Sequence, residues 1–555
     1  MNADPAQRPW LRSYPPGLAW DTPLPPRSVN QLWEDAVERW PDLPFLHFFG
    51  RVQTYAEVAR MVRAVAAGMR LHGVGPGSRV GLLLPNVPCF VVALLAALRC
   101  GATAVNFSTL LAEHELAVEL DDSGVEMLIT LDAPQLLGRF AGVLRASRLR
   151  RVFVCSLDNA LPLGPRLVRA WRGASEHVAW GEDDLFLGWR RLPTPAEGEP
   201  PPAIDPATAP AVILYTAGTS GQPRGAVISH AGLAANALQN RLWFPDADLG
   251  EERVVAILPL FHAYGLSAVL LFAITIGAEL VLLPRFEPRG FLRMLRRTRP
   301  TVLAGVPTLF GALPELPGAR AEDFASLKLC VSGGDALPAA TRDRFVAFAG
   351  VPLTQGYGLT ECAPVVACGQ PLARCERPGS VGLPLPGTDV AIRDAAGMPL
   401  ALGEVGEIHV RGPQVMLGYA GRHHETRCVL RDGWLRTGDL GRLDADGYLW
   451  VVDRLKDMII TSGTKVYPQR VETALLSHAA VAEAAVVGEP DQRAGAVPVA
   501  HLVLRPGASV TAEELRLYLA PMVSQAAVPR RFHFHACLPR TRMGKIERAA
   551  LAAMR

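Results

Sequence analysis

The sequence predicts an α/β protein with a large N-terminal domain of two α/β sheet subdomains and a small β-rich subdomain, followed by a small α+β C-terminal domain. Strand-like and helix-like segments alternate through roughly the first half of the chain, short strands with glycine and proline turns begin beyond about residue 381, and the pattern changes again near Lys456. A chain of 555 residues also exceeds what one hydrophobic core usually serves. We therefore predict an N-terminal domain at 1–455, with its β-rich subdomain at about 381–455, and a C-terminal domain at 456–555.

The clearest helix of the first part covers residues 54–73. Thr54 and Glu57 have the spacing of a capping box, Gly73 supplies a stop, and apolar side chains recur on one helical face. Continuous apolar runs predict buried strands at 80–84, 102–107, 125–131, 151–155 and 211–216. Because strands and helices alternate, we expect mainly parallel sheets covered on both faces.

The remaining segments have a different texture. Residues 156–207 are rich in proline, glycine and charge, which predicts a long irregular connection. Segments such as VGLPLPGTDVAIRD predict short strands with tight turns. The strand-like YLWVVD ends just before a polar loop, so the domain boundary is placed at Lys456. Beyond it, two strand-like runs and TAEELRLYLA, which opens with a capping box, predict a compact α+β unit.

Charge and cysteine content exclude several classes of function. Lysine plus arginine number 56 and aspartate plus glutamate 53, so the chain has no electrostatic footprint for nucleic acid. The nine cysteines include no CxxC pair and no cluster with zinc-ligand spacing. This usage predicts reduced thiols in a cytoplasmic protein.

Two segments bear on the membrane. The N-terminus lacks the apolar core of a signal peptide, and its prolines predict an extended arm on the surface. The apolar run over 265–284 is interrupted by Gly277 and Glu279, so a buried helix followed by a strand is predicted in place of a membrane span. The sequence thus predicts no transmembrane segment and is compatible with peripheral contact at the inner membrane face.

The stretch YTAGTSGQPRGAVISH, residues 215–230, follows a predicted strand and combines flexible backbone, hydroxyl groups and one cation. Glycines let backbone N–H groups approach an anion, hydroxyls add hydrogen bonds, and an arginine neutralises phosphate charge. The candidate nucleotide-binding residues are Thr216, Gly218, Thr219, Ser220, Gly221 and Arg224. The loop is not a Walker A sequence, and a turn without function has a similar composition.

Five later regions carry further chemistry-bearing residues. GYGLTE at 356–361 places an aromatic ring, a hydroxyl and a carboxylate within a few residues, and VSGGDALP at 331–338 offers bare glycine backbone. GWLRTGDLG at 433–441 and DRLKDMIITSGTKVYP at 453–468 supply carboxylates and several cations, and LPRTRMGKIER at 538–548 supplies a lysine near the C-terminus. Taken one at a time, these motifs also fit structures without a catalytic or binding role: a strand end, a plain turn, a linker and a solvated tail.

Together these motifs resemble the adenylate-forming superfamily, which comprises acyl-CoA synthetases, luciferases and the adenylation domains of peptide synthetases. The resemblance extends from about Trp10 to Arg548, and early segments such as LDDSG look closest to bacterial long-chain fatty-acyl-CoA ligases. Two residues depart from the usual loop pattern YTSGTTGxPKG: Ala217 stands where the family usually has Ser or Gly, and Arg224 where it usually has Lys. Arginine keeps the charge but offers a planar fork in place of a point charge.

The resemblance implies roles for the nucleotide motifs. Tyr357 would flank the adenine, with Gly333 and Gly334 forming the adenine-side loop. Thr360 would bind the nucleotide phosphate and take part in catalysis, and Glu361 would hold Mg²⁺, a hard cation that prefers oxygen ligands.

The resemblance also assigns the residues that follow. Asp439 and Arg454 would grip the ribose hydroxyls, with Arg454 also counted as catalytic. Lys456 falls on the hinge and Gly463 on the border of the CoA channel, so the C-terminal domain is expected to be mobile and to rotate between two half-reactions. Lys545 would be the adenylation lysine, bridging the substrate carboxylate and the α-phosphate.

LPLFHAYG at 258–265 resembles the stretch that lines the acyl pocket, with His262 at a gating position. A core histidine with satisfied hydrogen bonds is the alternative. Peptide-synthetase domains typically carry an aspartate in this region to hold an α-amino group, so His262 disfavours amino-acid substrates. The apolar run that follows suits an alkyl tunnel, although a buried core has the same composition.

The resemblance implies ATP-dependent activation of a medium- or long-chain fatty acid through acyl-AMP to acyl-CoA. The carboxylic acid, ATP and coenzyme A are the expected small-molecule partners, and Mg²⁺ the metal cofactor. Three alternatives stay open: transfer to the thiol of an acyl carrier protein, an aryl or specialised-metabolite acid, and a non-catalytic acyl-binding protein. The last predicts loss of catalytic groups, yet Glu361, Asp439, Arg454 and Lys545 are all present. A monomer and a homodimer both fit the sequence.

Overall fold

A computed structural model describes most of the chain. The described residues are 8–156, 178, 180–194, 199–217, 223–370, 377–461, 464–491, 494–540 and 546–554. Two large sheets with parallel central strands form the first part of the molecule, and two smaller sheets follow. The predicted α/β class is confirmed.

The first large sheet has nine strands in the described part of the chain. Its six central strands are parallel, and antiparallel strands close both edges. In spatial order the strands are Leu383–Pro384, Val365–Cys368, Leu353–Gly358, Leu329–Ser332, Val302–Gly305, Arg253–Ala256, Glu279–Leu282, Pro44–Phe48 and Arg51–Thr54. Since parallel strands share their direction, the loops after them meet at one edge, where the nucleotide motifs lie.

The second large sheet has eight strands among the described residues. Its spatial order is Gly418–Tyr419, Pro223–Ser229, Pro210–Ala217, Thr103–Asn106, Arg79–Leu83, Met127–Leu131, Arg151–Cys155 and Phe186–Gly188. The first two strands join the sheet through antiparallel pairings, and the other six strands are parallel. Central strands such as Thr103–Asn106 are buried along their whole length, which explains their continuous apolar sequence.

Helices cover both large sheets. They are Val29–Arg39, Tyr55–Leu71, Pro88–Arg99, Glu113–Ser123, Arg139–Ala146, His230–Trp243, Ala263–Gly265, Phe272–Ile276, Pro288–Thr298, Pro307–Ala312 and Ala339–Ala349. The capping box predicted at Thr54 and Glu57 is confirmed, and Gly73 follows the helix with a φ of 83°. The apolar run over 265–284 is helical and then continues as the strand Glu279–Leu282, as predicted. Within the described ranges, no helix is both long and apolar enough to cross a bilayer.

Two smaller sheets follow, each of five strands in the described chain. The first is antiparallel and contains Asp389–Arg393, Gly406–Arg411, Leu430–Arg431, Trp434–Leu443 and Leu449–Arg454, with the helix His423–Val429 beside it. The second contains Ile459–Thr461, Thr464–Val466, Val481–Asp491, Gly495–Leu504 and Arg531–Phe534. Its helices are Pro468–Leu476, Ala512–Leu519 and Arg548–Ala553. Lys456 lies in the turn between the two sheets, and the domain boundary there stays a prediction.

Two sequence-based predictions about the connections are wrong. The N-terminal arm does not merely lie on the surface, because Trp10 is 1% exposed and Arg8 pairs with Asp389 at 2.7 Å. Gly447 makes this possible, since a Cβ there would lie 2.1 Å from the Trp10 backbone nitrogen. Residues 156–207 were predicted to form a long irregular connection, but their described part includes the strand Phe186–Gly188, which extends the eight-stranded sheet. Residues 157–177, 179 and 195–198 of this connection lie outside the described residues.

Candidate functional site

One large cavity lies where the loops of the large sheets face the smaller sheets. Its volume is about 2850 Å³. It gathers many of the residues that the sequence singled out: Thr216, Arg224, His262, Gly334, Tyr357, Thr360, Glu361, Asp439, Arg454 and Lys456. Gly333 lies immediately before Gly334. The predicted site residues Gly218, Thr219, Ser220, Gly221, Gly463 and Lys545 lie outside the described residues.

Asp439 is held between two other predicted site residues. The Tyr357 hydroxyl donates a 2.7 Å hydrogen bond to Oδ2 of Asp439, and Nε of Arg454 lies 3.4 Å from Oδ1. Asp439 and Arg454 are cross-strand partners, so the register of the sheet brings them together. Burial, and then the neighbouring Asp439 carboxylate, hold the pKa of Tyr357 well above its usual value, so the phenol remains a donor.

Two residues next to Asp439 hold its strand in place: Thr437 on the same strand, and Glu407 on the neighbouring strand Gly406–Arg411. The Thr437 hydroxyl donates to the Ile408 carbonyl at 2.7 Å and accepts from the Asp439 N–H at 3.1 Å. Burial alone would raise the pKa of Glu407, but hydrogen bonds from His409 and Arg436 lower it to about 2. These contacts hold Asp439 in place as an acidic hydrogen-bond acceptor that faces the cavity. A carboxylate in this position can accept hydrogen bonds from the two hydroxyls of a diol.

A second acidic centre lies at Glu361. Its Oε1 accepts a 2.8 Å hydrogen bond from the Tyr419 hydroxyl. Arg224 also lies beside Tyr419, with its guanidinium carbon 5.6 Å from the ring centroid. Nε of Arg224 forms a 2.5 Å ion pair with Oε2 of Glu425. Within the cavity, the carboxylate of Glu361 and the guanidinium of Arg224 therefore both lie beside Tyr419.

This donor set fits Mg²⁺ bound together with a polyphosphate. Mg²⁺ is usually held by one or two carboxylates and by phosphate oxygens, and Glu361 is a partly exposed carboxylate on the cavity wall. Thr360 precedes it and begins the short helix Thr360–Cys362, while Thr216 approaches the Arg224 carbonyl with its hydroxyl at 3.4 Å. Hydroxyls, a carboxylate and a cation thus line one side of the cavity.

The glycines of the predicted adenine-side loop are packed closely. A Cβ on Gly333 would lie 3.0 Å from the Tyr264 ring, and Gly334 has a φ of 83° that favours glycine. Tyr264 is itself fixed, because its hydroxyl donates to the Val331 carbonyl at 3.2 Å. The strand end therefore presents flat backbone to the cavity, as a planar base requires.

His262 lies on the cavity wall before the short helix Ala263–Gly265. Its ring centroid is 4.7 Å from that of Phe261, which is buried. The helical segment that follows is deeply buried and apolar. This position is compatible with a gate to an apolar pocket, and that role stays a prediction.

The C-terminal unit meets the cavity near the predicted hinge. Asp453, at the end of the strand Leu449–Arg454, accepts a 2.8 Å hydrogen bond from the Gln469 N–H in the helix Pro468–Leu476. Burial raises the pKa of Asp453 to about 6. Arg548 forms an ion pair with Glu472. Lys456 is exposed in the turn between these contacts.

Three residues of the site were missed from the sequence. Tyr419 and Glu425 contact Glu361 and Arg224 from positions about 60 and 200 residues later in the chain. Tyr264 packs on Gly333 although it was grouped with the acyl pocket. No local pattern identifies them, because each is defined by the partner that it meets.

Comparisons with known proteins agree with this geometry. Residues 33–420 match the AMP-binding enzyme family and residues 470–545 the AMP-binding enzyme C-terminal domain. The long-chain-fatty-acid–CoA ligase of Bacillus subtilis (strain 168) is 35% identical over 550 residues, covering 98% of both chains. The feruloyl-CoA synthase of Amycolatopsis is 36% identical over 498 residues, covering 90% of this chain and 93% of that protein. ATP-bound MatB from Rhodopseudomonas palustris superposes with a TM-score of 0.81 at 27% identity, covering 95% and 99%.

Proposed function

The chain belongs to the AMP-binding enzyme family, and we propose on this basis that it is an AMP-forming acid–CoA ligase for medium- or long-chain fatty acids. The reaction uses ATP, Mg²⁺ and coenzyme A. The fatty-acid carboxylate attacks the α-phosphate of ATP, giving acyl-AMP and pyrophosphate. The thiol of coenzyme A then attacks the acyl carbon, giving acyl-CoA and AMP.

The observation that carries the proposal is the convergence of Arg224, Glu361 and Asp439 on one cavity. Each matches one part of ATP: a cation for the leaving pyrophosphate, a carboxylate for Mg²⁺, and an acceptor for the ribose hydroxyls. Mg²⁺, when bound through Glu361 and phosphate oxygens, would neutralise charge on the phosphates. A non-catalytic binding protein would not need to retain these groups.

We assign roles in this scheme to the remaining residues as well. Thr216 and Thr360 donate hydroxyl hydrogen bonds to phosphate oxygens, and Arg454 supports the ribose beside Asp439. Tyr357 and the backbone of Gly333 and Gly334 enclose the adenine. We include Gly218, Thr219, Ser220 and Gly221 in the phosphate loop, Lys456 as hinge, Gly463 at the CoA channel and Lys545 as the adenylation lysine.

An acid panel tests the proposal. Purified protein is mixed with ATP, Mg²⁺ and acids of increasing alkyl length, and pyrophosphate release is measured with and without coenzyme A. We expect release with medium or long acids and formation of acyl-CoA when coenzyme A is present. Glu361→Gln should abolish release, whereas Glu404→Gln, an exposed residue in a turn, should not.

Two alternative outcomes remain in the same assay. The similarity to feruloyl-CoA synthases favours a phenolic acid as the second candidate substrate, so ferulate belongs in the panel. Accumulation of acyl-AMP with coenzyme A present, followed by transfer to a purified acyl carrier protein, would replace coenzyme A by a protein thiol as acceptor.

Size-exclusion chromatography with light scattering distinguishes monomer from homodimer. We also propose that the protein works in the cytoplasm, with peripheral contact at the inner membrane face.

A further inference from the structure

The helix Pro288–Thr298 carries an unusual distribution of charge. Phe291, Leu292, Met294, Leu295 and Thr298 are buried against the nine-stranded sheet and its neighbours. The opposite face is exposed and carries four arginines: Arg289, Arg293, Arg296 and Arg297. Like charges at i,i+4 spacing destabilise a helix, so this pattern costs stability that an anionic partner would restore.

Three of these arginines are available to such a partner. Arg296 is engaged, because its Nε and Nη2 each lie 2.8 Å from a carboxylate oxygen of Asp323. Arg289, Arg293 and Arg297 form no ion pair within the described part of the chain. The four arginines line a shallow depression of about 430 Å³, together with Leu292, Pro317 and Gly318.

Exposed phenylalanines lie beside the arginines. Phe49 forms the tip of the hairpin between Pro44–Phe48 and Arg51–Thr54, and its side chain is 50% exposed. The next residue, Gly50, packs against the helix, since a Cβ there would lie 3.6 Å from Nη2 of Arg297. Phe286, 38% exposed, stands just before the helix with its ring 5.4 Å from that of Phe291.

The backbone at Phe49 adds a further observation. Its φ is 49°, followed by 90° at Gly50, so a bulky aromatic residue occupies a left-handed turn position. Asn, Asp and Gly are the residues that favour such positions. The Phe49 ring packs edge-on against the buried Phe48 at 4.7 Å, yet half of its side chain stays exposed to solvent.

We propose that Phe49, Phe286, Arg289, Arg293 and Arg297, here called the arginine face, dock the protein onto an anionic phospholipid bilayer. Guanidinium groups complement phosphate headgroups, and the depression between them accommodates one. The two phenyl rings enter the boundary between headgroups and acyl chains, where apolar side chains are favoured. The use of this surface rests on the proposed function: long-chain acids partition into bilayers, so a ligase that docks there meets its substrate.

Vesicle sedimentation with the full chain tests the arginine face without any substrate. Vesicles of phosphatidylcholine alone are compared with equal parts phosphatidylcholine and phosphatidylglycerol. We expect binding to the anionic vesicles only, and release at about 1 M salt, where the Debye length is about 3 Å. R289Q/R293Q/R297Q should lower the partition coefficient on the order of 100-fold, since each surface arginine contributes roughly fivefold.

Two further variants separate docking from folding. R12Q/R505Q/R530Q removes the same charge from exposed arginines elsewhere and should bind like the wild type. Phe49→Asn removes the ring and its contact with Phe48 but suits the left-handed turn, so it should weaken vesicle binding several-fold while the unfolding midpoint changes little. A purely structural Phe49 would give the opposite result, with lower stability and unchanged binding.

The proposal is overturned if the wild type ignores anionic vesicles, binds neutral vesicles equally well, or binds equally after the triple arginine change. It is also overturned if the same variants abolish a dimer in solution while vesicle binding is absent. Ligase activity on a water-soluble acid is measured separately. Vesicle binding without any ligase activity would remove the proposed function and leave the arginine face intact.

Discussion

The phenol of Tyr357 donates a 2.7 Å hydrogen bond to the carboxylate of Asp439, which lies 82 residues later in the chain. Tyr357 lies near the end of the strand Leu353–Gly358 in the nine-stranded sheet, and Asp439 belongs to the antiparallel five-stranded sheet. This contact joins the adenine side of the proposed nucleotide site to its ribose side. It also fixes the orientation of the Asp439 carboxylate.

We predict from this contact that Asp439→Asn raises the KM for ATP by about 10–100-fold, because a charged acceptor in a buried setting is replaced by a neutral amide. Tyr357→Phe should raise it by about 3–10-fold, since Asp439 is retained but less well oriented. Pyrophosphate exchange at varied ATP measures both. Tyr14→Phe removes a buried hydroxyl that donates to the Pro384 carbonyl and should leave the KM unchanged. Equal values for wild type and Asp439→Asn would remove Asp439 from the ribose site.

The pairing of Arg224 with Glu425 leads to a second prediction. Arg224→Lys should keep pyrophosphate exchange within about tenfold, because the charge remains, whereas Arg224→Gln should lose about 100-fold. Arg422 also contacts Glu425, at 3.3 Å, from outside the cavity. Arg422→Lys is therefore the matched control and should retain exchange. If Arg224→Gln is as active as the wild type, phosphate charge is neutralised elsewhere.

A third prediction separates the two half-reactions. Lys545→Ala should abolish formation of acyl-AMP while sparing thioester formation from supplied acyl-AMP, because the ammonium offsets charge only during adenylation. The two steps are measured by pyrophosphate release and by acyl-CoA yield from synthetic acyl-AMP. Arg505→Ala, an exposed cation of the C-terminal unit, should affect neither step. Equal loss of both steps in Lys545→Ala would contradict two separate uses of the site.

Glu119 gives a prediction about stability and pH. Burial, with a smaller effect of Asp122, raises the pKa of Glu119 to about 8 from a reference value of 4.5. The native carboxyl therefore holds a proton that the unfolded chain releases, and the stability from this group is lost as pH rises through 8. In the wild type, this group should lower the free energy of unfolding by roughly 1–3 kcal/mol between pH 5 and 9. Glu119→Gln should lack this decrease, and urea unfolding at several pH values measures it.

The exposed Glu113 at the start of the same helix provides the control. Glu113→Gln should follow the wild-type dependence of unfolding free energy on pH. An unchanged pH dependence in Glu119→Gln would mean that Glu119 titrates normally in the native protein.

Much of the fold followed from local pattern. The capping box at Thr54 and Glu57 and the buried strand at 211–216 are encoded by residues that are neighbours in the chain. Trp10 and the strand Phe186–Gly188 were not foreseen. A three-residue strand is too short to show periodicity, and the burial of Trp10 depends on space left by the distant Gly447.

The sequence by itself determined the chemical groups of this protein, the order of its motifs and the α/β class, because each rests on short-range spacing. Only the tertiary structure decided which of those groups meet. Tyr357 reaches Asp439, and Arg224 reaches Glu425 and Tyr419, through strand register and the crossing of separate sheets. The same is true of the arginine face, since the hairpin tip at Phe49 lies beside Arg297 only in the folded chain. Such contacts depend on long-range packing, which local periodicity does not encode.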